Sequence, residues 1–309
     1  MARVEGTVVT RRKSLNMQLI AWCSIGLLIA ISYSSASEDS TNSIYALAAD
    51  GEICGVTYSS DVVRGDWQFD RLHKNGYQDY GCQIVNSNNG HPVRSGSQSI
   101  RFEVRDGDCG SSDTFDDCAN DRSRHELSQT NAQAEGEEFW YHYSIYVPEI
   151  SLLSGQEVVF LGQFQQSNGV APLMFEDFTS GYGIRQNDAN YNWLFRGMLW
   201  LNSTFRNRWT DVLMHIKWSS GSDGFIKIYF NNALTKELTG ANIQSNQSTI
   251  FHFGIYNAFI SLCNCVEMPT QIVYFDEIRK GTTRESVELT NDSDGSADAV
   301  IPIIIDLLL

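Results

Sequence analysis

Apolar residues in this chain recur in short alternating runs broken by Gly, Asn, Asp or Ser, and no long stretch has the 3.6-residue period of an amphipathic helix. The runs include SIRFEVR (Ser99–Arg105), FWYHYSIYVP (Phe139–Pro148), EVVFLGQFQQ (Glu157–Gln166), WTDVLMHIKWS (Trp209–Ser219), FIKIYF (Phe225–Phe230), IFHFGIY (Ile250–Tyr256) and IVYFDEIR (Ile272–Arg279). They have strand length and are rich in Val, Ile, Phe, Tyr and Trp, so they predict an all-β protein. Many short strands over residues 51–285 favour one large sandwich or β-jelly roll, of concanavalin-like build, over a barrel. Large sheets of that kind curve, so a concave substrate groove is expected on one face.

The flanks read differently. Arg11, Arg12 and Lys13 precede the apolar run LIAWCSIGLLIAISY and the small residues SSAS, the pattern of an export signal over residues 1–36. An uncleaved anchor is the competing reading, which the short apolar core and small-residue exit disfavour. Residues 37–50 form a polar lead-in. Residues 286–309 read as an acidic linker with a short apolar tail, too short to span a bilayer. The expectation is a secreted monomer with no stable membrane span after cleavage.

Six cysteines remain beyond the signal, and an even number in an exported chain predicts disulfides. Cys109 and Cys118 flank a polar loop and are the natural local pair; the pairing of Cys54, Cys82, Cys263 and Cys265 stays open. Zinc competes poorly, because Cys263 and Cys265 are one residue apart with no second close pair. The formal net charge of -15 argues against nucleic acid as a partner, since binding phosphates needs a basic surface. It leaves room for an anionic ligand in a local basic cleft.

Three strands carry polar residues where a sandwich core wants apolar ones. Strand alternation places Arg122, Arg124, Glu126 and Ser128 on one face of the first. In VVFLGQFQQ the same alternation puts Val159, Leu161, Gln163 and Gln165 on one face, so its apolar half gives way to two amides. In IFHFGIYN, His252, Gly254 and Tyr256 share a face opposite Phe251, Phe253 and Ile255. Gly254 there is expected to leave room for a ligand.

RHEL (Arg124–Leu127), QFQ (Gln163–Gln165) and FHFGIYN (Phe251–Asn257) resemble the three ordered motifs of jelly-roll alginate lyases. The wider setting, from RFEVRDGDC through DCANDRSRHELSQ, LGQFQQ and WTDVLMHIKWSSGSDGFIKIYFNN to VYFDEIRKG, is similar to the heparin lyase I and glucuronan lyase-like polysaccharide lyases. The resemblance spans roughly residues 90–281 and implies β-elimination on an anionic, uronic-acid polysaccharide. It implies that Arg124 and Gln163 neutralise the sugar carboxylate, and that Tyr256 protonates the leaving O4 and removes the C5 proton. It makes Gln165, His252, Asn257, Arg122 and Glu126 substrate-binding candidates, Glu126 chiefly as a positioning partner for an arginine.

A free tyrosine titrates near ~10, so action as a base needs a nearby cation, for which Arg124 is the obvious residue. The family's motif histidine is Gln165 here, and its motif lysine is His252. A glutamine takes no proton at neutral pH. Either Tyr256 makes both proton transfers or the site only binds, with His252 a better substitute base than the oppositely facing His125. One residue serves as base and acid only if H5 and O4 lie on the same side of the ring, which favours glucuronate or mannuronate polymers.

Blander readings apply residue by residue. Arg124 and Glu126 are also what a surface salt bridge looks like, and a lone tyrosine is more often a core or rim aromatic. His142 and His215 read as structural. Arg94 and Arg101 are weaker candidates for extra groove cations, and Trp193, Trp200 and Trp209 for sugar stacking. No cofactor is expected, although Asp276 and Glu277 in FDEI suggest oxygen ligands for a structural calcium. A non-catalytic glycan-binding jelly roll is the alternative function. A retaining hydrolase is third, and its E-x-D-x-x-E strand is absent from the sequence.

Overall fold

The computed structural model describes residues 52–57, 62–65, 67–148, 158–188 and 192–289. The expected signal, the polar lead-in, and the acidic linker and apolar tail beyond 289 lie outside these residues. Eighteen strands are described: β1 (Glu52–Ile53), β2 (Val56–Thr57), β3 (Val63–Arg64), β4 (Phe69–Arg71), β5 (Cys82–Asn86), β6 (Gln98–Val104), β7 (Arg122–Gln129), β8 (Gln133–Ala134), β9 (Glu138–Tyr146), β10 (Val158–Gln166), β11 (Leu173–Phe178), β12 (Gly181–Asn187), β13 (Trp193–Leu201), β14 (Trp209–Lys217), β15 (Phe225–Phe230), β16 (Ala233–Thr239), β17 (Ser248–Ala258) and β18 (Gln271–Gly281).

Two large sheets form the sandwich. One runs β13-β12-β11-β10-β17-β7-β4, with β8 on β17; the other runs β16-β15-β14-β9-β18-β6-β5, with β3 on β18. All pairings in them are antiparallel except β18 with β3. This is the jelly-roll sandwich that the alternating runs predict. Apolar residues at every second position line the space between the sheets: Phe251, Phe253 and Ile255 of β17 meet Phe102, Tyr143 and Phe275 of the opposing sheet, all fully buried. Each such side chain contributes roughly 1.5–3 kcal/mol by leaving water.

Simple alternation fails in two places that matter for the site. The register of β10 against both neighbours shifts between Phe160 and Gly162. Val159 and Leu161 therefore belong to the core, while Gln163 pairs with His252 on the opposite, outer face. The expectation of one shared face for all four residues is corrected by this bulge. Gly254 has φ +140°, and a Cβ there would lie 2.2 Å from the His125 carbonyl oxygen. The space at Gly254 is thus taken by the backbone of β7 and not by a ligand.

All six cysteines pair, as Cys54–Cys82, Cys109–Cys118 and Cys263–Cys265. The packed chain also passes the expected end at Glu285: Val287 is fully buried, and its carbonyl accepts a hydrogen bond from Arg279. No helix among the described residues is long and apolar enough to cross a membrane.

Candidate active site

The outer face of the first sheet collects Arg122, Arg124, Glu126 and Ser128 from β7, His252 and Tyr256 from β17, and Gln163 from β10. These strands are direct neighbours, and Tyr256 stands opposite Arg124, Gly254 opposite Glu126 and His252 opposite Ser128. The guanidinium, amide and phenol therefore come from one sheet and not from two opposing ones.

The contacts form a continuous chain. The Arg124 guanidinium lies 3.7 Å from the centre of the Tyr256 ring, a cation–π stack, and Nη1 donates to Glu126 at 3.3 Å. Gln163 Nε2 donates to both Glu126 oxygens at 3.2 and 3.3 Å. Arg122 Nε donates to the Tyr256 phenol oxygen at 3.1 Å. Arg122 donates to that oxygen, and the rest of its hydrogen-bonding capacity is open to a ligand. The cation at the phenol oxygen is thus Arg122, whereas Arg124 covers the ring face. No carboxylate among the described residues pairs with Arg122; its remaining contacts are the Asp121 carbonyl and the Phe259 ring.

Arg124 is held from behind by residues that motif reasoning missed. Asp117 receives its Nε and Nη2 at 2.6 and 2.7 Å, and His73 Nε2 lies 2.8 Å from the same carboxylate. Burial would raise the Asp117 carboxyl, but hydrogen bonds from His73 and Arg124 outweigh it and hold the group below the usual range. Glu126 goes the other way: full burial pushes its carboxyl up against the pull of Arg124 and Gln163. Asp117 adjoins Cys118, so the Cys109–Cys118 bridge closes the loop that carries this clamp. The signal in the sequence was only the acidic pair Asp116 and Asp117 ahead of the arginines, which has no period that points anywhere.

His252 is buried beside Gln163, with Ser128 Oγ 3.3 Å from Nε2. Burial first, and Arg124 second, push its imidazole down to about 3. The folded protein leaves it neutral where the unfolded chain, near ~6.5, binds a proton. Stability tied to this group is complete above ~6.5 and is lost as pH falls towards 3, at ~1.4 kcal/mol per pH unit. His252→Gln removes that dependence. Urea unfolding of the parent and variant at pH 7 and pH 5 should show the parent losing on the order of 2 kcal/mol relative to the variant.

Several expected site residues lie elsewhere. Asn257 alternates with Tyr256 and so points into the sandwich, where it is fully buried and donates to Gln271 at 2.8 Å; it is not available to substrate. Gln165 is on the outer face but spends its amide on the Gly169 carbonyl, at 3.1 Å. His125 faces inward beside Asp108 and the Tyr77 and Tyr80 rings, pushed down to about 4, first by burial. Arg101 belongs to the other sheet, paired with Glu103, and Arg94 lies in the loop before β6, paired with Asp211 of that sheet; neither adds charge here. Trp200 is core and Trp209 packs on Tyr146, whereas Trp193 is 50% exposed.

His142 and His215 take structural places, the first on the Glu277 carbonyl and the second stacked on Trp140. Asp276 accepts from the backbone N–H groups of Arg94 and Glu277, and Glu277 pairs with Arg279. Among the described residues no group of three or more His, Cys, Asp or Glu is placed to hold a metal ion.

A sequence profile of the polysaccharide lyases matches residues 63–279, most of the chain and all of the strands just described around the site. The chain belongs to the polysaccharide lyase family. Among solved structures, this lyase is similar to an endo-β-1,4-glucuronan lyase from the fungus Trichoderma reesei, with 20% identity and a TM-score of 0.54 over 71% of this chain and 96% of that one. It is also similar to alginate lyase vAL-1 from a Chlorella virus (12% identity, TM-score 0.46, 70% and 93% covered) and to an alginate lyase from Klebsiella pneumoniae (10%, 0.42, 61% and 82%). No curated protein sequence matches it. The likeness to the glucuronan lyase bears on the fold, and the family assignment makes the protein a polysaccharide lyase.

Proposed function

We propose that the protein is a secreted lyase that cleaves a polymer of glucuronate or mannuronate type by β-elimination at Tyr256. The observation that carries this reading is the unbroken contact chain Arg122–Tyr256–Arg124–Glu126–Gln163 on one sheet face. The C5 proton of a uronate is hard to remove because the adjacent carboxylate opposes a second negative charge. Arg122, which has no carboxylate partner among the described residues, supplies a cation for that group; Arg124 adds positive charge over the Tyr256 ring, and Gln163 holds Glu126 in place behind it.

In the elimination the phenolate of Tyr256 takes H5, and the C5–H electron pair becomes the C4–C5 double bond. The C4–O4 bond breaks, its electrons leave with O4, and the phenol returns the proton to O4. Both guanidiniums face the phenol and stabilise the negative charge it carries in turn. The single-residue cycle is supported by the placement of the other candidates: Gln165 is tied to Gly169, and His252 is held neutral and buried. It requires H5 and O4 on one side of the ring, hence the substrate class.

The test is ultraviolet absorbance of the unsaturated uronate product on a panel of polyglucuronate, polymannuronate, polyguluronate and heparin-type chains. Absorbance should rise with the first two. Rapid cleavage confined to polyguluronate would overturn the single-tyrosine cycle, and reducing ends without absorbance would overturn elimination itself.

A further inference from the structure

The same outer face continues past β10 onto strands whose residues take no part in the chemistry above. A register shift of β13 against β12 between Gln186 and Asn187 skips Leu194 and puts Trp193 on the same face as Arg196 and Arg185. The Arg185 guanidinium lies 4.5 Å from the centre of the Trp193 ring system, and that of Arg196 lies 5.1 Å away. Arg185 also sits 5.2 Å from the Phe160 ring, which in turn lies 5.7 Å from that of Tyr256. An apolar and cationic track thus leads from the reacting tyrosine to the exposed indole.

Two features show that this patch is not a closed structural cluster. One carboxylate, Glu176, serves both guanidiniums, which leaves a unit of positive charge on a strongly acidic protein. Arg185 Nε and Asn187 Oδ1, both on this face of β12, are buried without any hydrogen-bond partner. A donor and an acceptor left unsatisfied side by side are unusual in a folded chain. An acidic sugar answers both, with carboxylate oxygens for the guanidiniums and hydroxyl groups for the amide oxygen. An exposed tryptophan backed by two cations adds a flat apolar plate for the sugar ring and favours an anionic ring over a neutral one.

We propose that Trp193, Arg196 and Arg185 form a distal subsite for an acidic sugar unit of the bound polymer. Trp193 stands on β13, four strands from the β17 of Tyr256, while Arg185 reaches back from β12 to the Phe160 ring that neighbours Tyr256. A chain of several linked sugars spans from the phenol to the indole; a single sugar held at Tyr256 does not. The inference rests on the reading of Tyr256 as the cleaving centre, and it assigns the enzyme a preference for long, uniformly acidic chains.

The test is equilibrium binding, in a Tyr256→Phe background that prevents turnover, of size-fractionated oligouronides and of neutral oligosaccharides of equal length. Trp193→Ala and Arg196→Gln should each shrink the affinity advantage of long over short oligouronides at least tenfold. Trp193→Phe should retain most of it, and neutral chains should show no such advantage at all. An undiminished advantage in both variants overturns the subsite, as does an equal loss for neutral chains. Product formation by the parent enzyme is read separately, so failure of the lyase reading is distinguishable from failure of the subsite.

Discussion

Tyr256→Phe is expected to lower turnover roughly a thousandfold or more while changing polymer affinity little. General acid or base catalysis by one side chain is typically worth about 10²–10⁴ in rate, and here one oxygen is proposed to serve in both steps. The substitution deletes only that oxygen. The ring stays under Arg124 and against Phe160, so the face keeps its shape. The hydrogen bond from Arg122 is lost, which lowers stability by about 1 kcal/mol, since the freed guanidinium can turn to water. Steady-state kinetics on the preferred polymer check the prediction: kcat falls and KM holds. Retention of full activity would remove Tyr256 from the mechanism and reopen His252, whose imidazole lies buried on the same face.

The layered architecture was legible because alternation of apolar residues is a local property. FIKIYF became β15 with the same ends, and WTDVLMHIKWS and IFHFGIY lie within or around β14 and β17. What was not legible came from tertiary geometry. The bulge in β10 transfers Leu161 to the core, and a run of alternating letters does not announce where one extra residue is inserted.

The strands β11, β12 and β13 were harder still. LMFEDF and GYGIRQN carry charges that pair with each other across the outer face, Glu176 with Arg185 and Arg196, and glycines between them, so their pattern resembles loop text. The site divides along the same line. Arg124, Gln163 and Tyr256 were visible as matches to motifs, and the sheet brings them together. Asp117 and His73 support Arg124 across a loop closed by a disulfide, a relation that depends on three-dimensional closure alone. Asn257 was carried along by its neighbour Tyr256, although adjacent strand residues cannot share a face.

Asp117→Ala is expected to damage stability and turnover together, and its effect on folding should be the largest of any single change near the site. Arg124 is only 12% exposed, and Asp117 binds two of its nitrogens from below. Removing one member of a buried ion pair typically costs about 3–5 kcal/mol, because the surviving charge is left without its partner. Glu126 is a weak replacement, since burial already drives it towards the neutral form. A guanidinium no longer pinned from below leaves the Tyr256 ring, so the proposed cycle loses one of the two cations beside the phenol.

Asp117→Asn separates the two consequences. Its amide oxygen still accepts from Arg124 and keeps much of the geometry, but it does not balance the charge, so folding should recover more than turnover does. Chemical unfolding gives the first quantity and kcat the second. Selective reduction of Cys109–Cys118 offers an independent route to the same clamp. Opening that short loop should lower stability by roughly 2–4 kcal/mol and depress kcat through Asp117, without altering any group that faces the sugar. If Asp117→Ala folded as well as the parent and turned over at the parent rate, the positioning of Arg124 would have to come from Glu126 alone.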